Sequence, residues 1–210
     1  MTEQEVRQQL VDLAKSMFDR GYATGGAGNL SVKLDQKHIL ATPTGSSFGR
    51  LDPQTLSLLT IDGEHLSGDK PSKEVAFHLE VYRHRPQSNA VVHLHSTYLT
   101  ALSCLNGLDP QNVIKAFTPY YVMRVGQLPL IPYYNPGDKS IAVEVGKLAA
   151  SNAAFLLANH GPIISGKDIL DAVDNAEELE ETAKLYFTLK GEYIAYISDD
   201  NVARLKAKKP

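Results

Sequence analysis

Cysteine occurs once in the 210 residues, at position 104, so no intrachain disulfide can staple this fold. Within the apolar stretch Thr100-Ala101-Leu102-Ser103-Cys104-Leu105 that thiol is expected as a small buried hydrophobe, not a nucleophile. Long apolar runs are missing as well. No stretch approaches the roughly 18 residues needed to span a bilayer, and Met1-Thr2-Glu3-Gln4-Glu5 is polar and acidic, so no membrane partner and a cytoplasmic location are expected. Nor is there an excess of positive charge: 21 Lys and Arg stand against 24 Asp and Glu, a formal charge of −3 that excludes a general nucleic-acid binder. Any phosphate-handling surface has to be local. The length suits one sizeable core and is short for two, and no repeat, low-complexity segment or linker divides the chain, so a single domain over 1–210 is expected.

The apolar spacing lays out the elements. Val6, Leu10, Leu13, Ala14, Met17 and Phe18 recur at helical intervals from Thr2 to Arg20, and Gly21 stops them. The loop Gly25-Gly26-Ala27-Gly28-Asn29 leads into a strand at Leu30–Leu34. A second strand at His38–Ala41 ends in Thr42-Pro43-Thr44-Gly45, and Leu58–Ile61 with Asp62-Gly63-Glu64 reads as strand and turn. Ser72 is placed to N-cap a helix that runs to Arg85, with Pro86 as its stop, and a further helix follows near Thr97–Leu105. A long helix from Ile169 to Leu189 carries Glu177, Glu178, Glu180 and Glu181, expected as a solvated face. Alternating strands and helices predict an α/β class fold: an α/β/α layered domain with a mixed, largely antiparallel central sheet.

Two apolar runs end in histidine. Asn89-Ala90-Val91-Val92 leads into His93-Leu94-His95, and Ala153-Ala154-Phe155-Leu156-Leu157-Ala158 leads into Asn159-His160-Gly161, whose glycine is expected to turn the chain. If the first run is a strand, its period of two puts His93 and His95 on one face with Leu94 on the other. A third imidazole from the second run would complete a facial metal site. Zinc suits three neutral imidazoles with a position left open for substrate or water. The plainer alternative is a strand that happens to end in His-x-His, with His160 capping a turn.

Anion-binding loops are the other candidate feature. Gly25 to Gly28 can expose backbone N–H groups to an anion, but lacks the dinucleotide fingerprint and the P-loop lysine; by itself it is equally a turn, as is Thr42-Pro43-Thr44-Gly45. At a helix start, the Ser72 hydroxyl, the backbone donors, the helix dipole and the Lys73 ammonium all favour a phosphate. Ser72-Lys73-Glu74 also reads as an N-cap followed by an acid.

Taken in order, Gly28-Asn29-Leu30-Ser31, Thr44-Gly45, Ser72-Lys73-Glu74, Ala90-Val91-Val92-His93-Leu94-His95 and Asn159-His160-Gly161 resemble the class II aldolase/adducin family over nearly the whole chain. The resemblance implies a homotetramer of α/β/α subunits. It implies zinc, or another divalent ion such as Mn²⁺ or Co²⁺, on His93, His95 and His160. Glu74 then corresponds to the acid/base carboxylate, able to ligate the metal when substrate is absent, and Asn29, Thr44, Gly45, Ser72 and Lys73 match the substrate-phosphate cradle. Within the family, Gly68–Glu74, His95-Ser96-Thr97 and Phe117–Arg124 are most similar to members that decarboxylate a 3-oxo-tetronate 4-phosphate to dihydroxyacetone phosphate. Where the aldolases usually have Ser-Ser-Glu this chain has Ser72-Lys73-Glu74, a departure that adds a cation suited to a sugar acid bearing both phosphate and carboxylate. Tyr120 matches a pocket hydroxyl donated by an adjacent subunit. The same resemblance leaves a sugar-phosphate aldolase or 4-epimerase as the nearest alternative and a non-enzymatic, adducin-head-like oligomerisation module as the alternative of another class. An unrelated His-x-His hydrolase barrel needs ~250 residues, more than are present.

Overall fold

The structure is a computed structural model that describes residues 1–207; the last three residues of the expected 1–210 domain lie outside the described residues. The elements follow the chain as α1 (Glu3–Asp19), β1 (Asn29–Lys33), β2 (His38–Ala41), a 3₁₀ turn (Phe48–Arg50), β3 (Ser57–Thr60), β4 (His65–Ser67), α2 (Val75–His84), β5 (Ala90–His93), α3 (Thr97–Ser103), α4 (Pro119–Arg124), β6 (Leu130–Ile131), α5 (Lys139–Ala149), β7 (Ala154–Leu157), β8 (Gly161–Gly166), α6 (Ile169–Thr188) and α7 (Asp199–Ala207). Among the described residues, eight strands form one sheet in the order β4-β3-β2-β1-β5-β8-β7-β6, antiparallel throughout except for the parallel β6–β7 pair. The mixed, largely antiparallel sheet is the expected one.

Strand alternation sorts the core into two layers. Leu30, Val32, Ala90, Val92 and Leu94 point to one face, where they pack with α1, α3, α4 and α6. Val91, Ile163, Phe155 and Leu157 point to the other, under Phe77, Val81 and Tyr82 of α2 and Ile141 and Val145 of α5. Those two layers of helices on one sheet make the α/β/α sandwich. The site lies where α2 covers the ends of β1 and β5.

Four expectations are corrected. The α2 helix begins at Val75, not after Ser72: Glu74 occupies the N-cap position, and Ser72 closes the preceding turn by accepting the Glu74 N–H on its hydroxyl at 3.2 Å. Cys104 is exposed, because it caps the C-terminus of α3 instead of continuing its buried side. Gly161 does not turn the chain; it opens β8, and the turn falls on Ala158–His160 with Asn159 at φ 56°. The acidic run on α6 is split: Glu181 is exposed, but Glu180 is buried at 7%.

Glu180 has a specific load. Its carboxylate accepts from the Ser96 hydroxyl at 2.6 Å and from the backbone N–H groups of Tyr98 and Leu99 at 2.7 and 3.0 Å, so a side chain from α6 caps the N-terminus of α3. Because Ser96 follows His95 directly, the cap also anchors the segment that carries the second histidine. Replacing Glu180 with Ala leaves three donors unpaired, those of Ser96 and Leu99 buried, and is expected to cost about 2–4 kcal/mol of stability. Glu181→Ala on the exposed side of the same helix should cost at most ~0.5 kcal/mol. Urea midpoints at constant slope measure both; equal losses would show that Glu180 is not the anchor.

Candidate metal and acid/base site

Three histidines converge at the edge of the α2 layer. His93 ends β5, where it stands directly between Asn29 of β1 and Ile163 of β8 in the two flanking ladders. It is fully buried, and its Nδ1 donates to the Pro162 carbonyl at 2.8 Å, which leaves Nε2 as a lone pair facing outward from the strand end. His95 lies two residues on with its Nε2 3.1 Å from that of His93. His160 arrives from the β7–β8 turn, which α3 fixes from below: the Ser103 carbonyl accepts from the Asn159 N–H, the Ser103 hydroxyl from the His160 N–H, and the His160 carbonyl from the Thr100 hydroxyl. The three rings are nearly perpendicular to one another with centroids 4.7–5.0 Å apart. Their ligand nitrogens all lie within 4.8 Å of each other.

Glu74 completes the group from the start of α2. Its Oε2 is 3.5 Å from Nε2 of His93 and its Oε1 3.5 Å from Nε2 of His160. The carboxylate is held by the Asn29 amide, whose Nδ2 donates to Oε2 at 2.7 Å. Burial dominates the electrostatics. It holds the His93 imidazole well below its ordinary range, reinforced by His160 and His95. It brings His95 down to about 4, with His160 adding to the effect, and it lowers His160 against the opposing pull of the Glu74 carboxylate. Three neutral imidazoles and a carboxylate facing one small space are electron-pair donors in want of a cation. A nitrogen-rich set with one oxygen fits a borderline divalent ion such as zinc.

The loops expected to handle phosphate are neighbours. An isolated antiparallel bridge pairs Pro43 with Pro71, and the Thr44 N–H donates to the Lys70 carbonyl at 2.9 Å, so the loop that carries Thr44 and Gly45 is held against the Lys70-Pro71 segment that leads into Ser72. Gly26 lies against this loop: a Cβ there would sit 3.4–3.5 Å from the Ser46 and Gly45 carbonyl oxygens. Thr44, Gly45 and Lys73 are exposed and Ser72 is half-buried. The Lys73 stem passes Gly137 along the wall of a cavity of about 310 Å³ that Glu74, Phe77, Asp138 and Lys139 also line. Lys139, a second cation on that wall, was not anticipated from the sequence. Asn29 is buried, with its oxygen taken by His78 as well as its nitrogen by Glu74. Tyr120 is not brought to the histidines within this chain. It is 62% exposed on α4, in a groove shared with Tyr22, Arg124, Asp174 and the acidic face of α6.

The chain from Asn29 inward also escaped the sequence reading. His78, Ser31 and Tyr82 continue it through bonds of 2.6–2.7 Å in the interior. A signal was present, because His78 follows Glu74 by four residues and so shares its side of α2, while Ser31 and Asn29 alternate onto one face of β1.

Known proteins resemble this chain over nearly its full length. The family model described as "Class II Aldolase and Adducin N-terminal domain" matches residues 8–187. The chain belongs to the class II aldolase/adducin family. It is 60% identical over 205 residues to a protein of Escherichia coli O6:H1 named 3-oxo-tetronate 4-phosphate decarboxylase, covering 98% of this chain and 97% of the relative. A Haemophilus influenzae protein of the same name is 57% identical, covering 98% of each. Among solved structures, YgbL from Escherichia coli superposes with a TM-score of 0.95 at 58% identity, covering 97% and 99% of the two chains. An L-fuculose 1-phosphate aldolase gives 0.86 at 29% identity over 97% and 95%.

Gly161 tests how tightly the donor set is clamped. A Cβ at this position would lie 2.2 Å from the Leu94 carbonyl oxygen, between the segments that bear His95 and His160. Gly161→Ala is expected to lose about 1–3 kcal/mol of stability through this overlap. It should also weaken binding of added Zn²⁺, read by competition with a chromophoric chelator. Wild-type stability together with wild-type Zn²⁺ affinity would show that the two segments are not held against each other.

Proposed function

We propose that this chain is a metal-dependent carboxy-lyase that removes CO2 from a 3-oxo-tetronate 4-phosphate and leaves dihydroxyacetone phosphate. One observation carries the reading: an acid/base carboxylate, Glu74, stands 3.5 Å from two of three converging neutral imidazoles in a chain that matches decarboxylases over nearly its full length. His93, His95 and His160 would hold a divalent ion, most suitably zinc, with Mn²⁺ or Co²⁺ as substitutes and Glu74 as a further ligand before substrate arrives. Bound there, the ion supplies Lewis acidity toward the substrate's oxo and hydroxyl oxygens.

The rest is the work of side chains. The substrate is a β-oxo acid, so the C1–C2 bond breaks with its electron pair passing toward the C3 oxygen. CO2 leaves and an enediolate remains. Glu74, a carboxylate until substrate binds, takes up a solvent proton on Oε1 while Oε2 keeps the Asn29 N–H, and delivers that proton to C2 to give dihydroxyacetone phosphate. Asn29 holds the Glu74 carboxylate in place. Thr44, Gly45 and Ser72 receive the phosphate: the exposed Thr44 hydroxyl and the Ser72 hydroxyl proton remain for donation, since Ser72 spends only a lone pair on the Glu74 N–H. Lys73 supplies the positive charge for that end of the substrate. The assembly is a homotetramer in the cytoplasm, in which the exposed Tyr120 reaches a neighbouring subunit's pocket. Among the described residues no helix is long and apolar enough to cross a membrane.

Carboxyl-labelled 3-oxo-tetronate 4-phosphate tests the reaction. Label should leave as CO2, with solvent deuterium at the carbon that lost it. Label kept in a non-volatile product, or efficient cleavage of a deoxyketose 1-phosphate to an aldehyde, would assign the chain to the aldolases instead.

Glu74→Gln tests the proton donor. The amide is nearly isosteric, so the variant should fold and bind metal but turn over roughly 10²–10⁴ times more slowly. A near-normal rate would mean that another group protonates C2.

A further inference from the structure

We propose that His78 is a positioning residue: fixed as the neutral tautomer that carries its proton on Nε2, it aims the Asn29 amide so that Nδ2 grips Glu74 and keeps that carboxylate in place for proton transfer. This deepens the reading of Glu74 given above and rests on it.

The polarity of the buried chain is settled from its Glu74 end. A carboxylate only accepts, so the Asn29 atom 2.7 Å from Glu74 Oε2 is the amide nitrogen. The Asn29 oxygen must then face His78, whose Nε2 lies 2.6 Å away and therefore has to donate. A neutral imidazole with its proton on Nε2 has a lone pair on Nδ1, so the Ser31 hydroxyl donates to it at 2.7 Å. Ser31 Oγ in turn accepts from the Tyr82 hydroxyl, also at 2.7 Å. Each group has one role left once its neighbour's is assigned.

The interior enforces the assignment. His78 is 1% exposed, Tyr82 3%, Ser31 0% and Asn29 5%, so water cannot substitute for a missing partner. Burial pushes the His78 imidazole down to about 3 and raises the Tyr82 phenol well above its ordinary value, so the ring is neutral and the phenol keeps the proton it donates. The opposite tautomer would put a lone pair against the Asn29 oxygen. Turning the amide to relieve that clash would present its oxygen to the Glu74 carboxylate, two acceptors at 2.7 Å. Either arrangement releases the grip on Glu74. A histidine that merely filled space would tolerate both.

Imidazole ¹⁵N spectra of the labelled protein, recorded with and without Zn²⁺ and without substrate, read the tautomer directly. The His78 signals should show Nε2 protonated and Nδ1 bare; a protonated Nδ1 overturns the proposal. Kinetics supply the second arm. His78→Leu removes the donor and should lower kcat by about 10–10²-fold, as misplacement of a reacting group does, while KM, set by the phosphate contacts, changes less than about threefold. His78→Gln can offer its amide N–H to Asn29 and should bring kcat back to within about fivefold of wild type. A folded His78→Leu enzyme with wild-type kcat, or a folded His78→Gln enzyme as slow as the leucine variant, overturns it too. If the leucine variant does not fold, the tautomer and the glutamine variant decide. Wild-type protein that releases no CO2 would end the reading of the reaction, whereas the tautomer measurement, needing no substrate, still tests the chain.

Discussion

The register of three neighbouring strands governs everything at this site. His93 is flanked across the sheet by Asn29 on one side and Ile163 on the other, so one rung of the β1–β5–β8 ladder sets the positions of an imidazole, the amide that holds Glu74, and the backbone beside Pro162 that fixes the imidazole tautomer. Strand side chains alternate, and a slip of one residue would turn His93 into the α1/α6 core and put Leu94 under α2. The apolar residues on both faces oppose such a slip: Val92 and Leu94 are fully buried in one layer and Val91 in the other. Hydrophobic packing on two faces thus specifies the geometry of a polar cluster that packing alone would not favour.

That cluster is costly on its own terms. Asn29, Ser31 and His93 from the sheet and Glu74, His78 and Tyr82 at α2 take polar groups out of water where apolar ones would pack. The structure offsets part of this by pairing the groups in one hydrogen-bonded line from Glu74 to Tyr82. The other side of Glu74 is not resolved in this way. There three imidazoles, held below their ordinary range by desolvation and, for His93 and His95, by their neighbouring imidazoles, face one another and a carboxylate with lone pairs. Local conflict of that kind is what a site built around a bound cation looks like.

What was legible in the sequence follows from which signals are local. The period of two through Ala90–His95 and the helical spacing of Val6, Leu10, Ala14 and Met17 are local patterns, and both elements appear where expected. The proximity of His160 to His93 and His95 depends on β8 lying between β5 and β7, a non-local fact that the family resemblance supplied and periodicity could not. The errors are non-local too. Glu180 reads as one more acid in a solvated row, because nothing in its neighbours announces that α3 will set its first turn against it. Gly161 reads as a turn residue, yet its ordinary backbone opens a strand; it lacks a side chain because the Leu94 carbonyl passes too close. The helices α4, α5 and α7 and the strands β6 and β8 were not anticipated: α4 and β6 are only six and two residues long, while α5 does carry a helical signal in Ile141, Val145 and Ala149.

In the proposed reaction the choice of bond cannot come from the donor set, because decarboxylation and retro-aldol cleavage lead to the same enediolate and ask the same groups to stabilise and protonate it. The difference has to lie farther out. Lys73, the departure from the aldolase pattern, is exposed and lies along Gly137. From there its charge meets the substrate's anionic end equally before and during bond breaking, which selects a substrate without lowering the barrier of the chemical step. The preference for losing CO2 then resides in the substrate, whose carboxylate is already β to a ketone. The protein's contribution is to admit that molecule with its two anionic groups and to keep Glu74 aimed at the carbon it will protonate, a task for which the line through Asn29 and His78 runs into the buried interior.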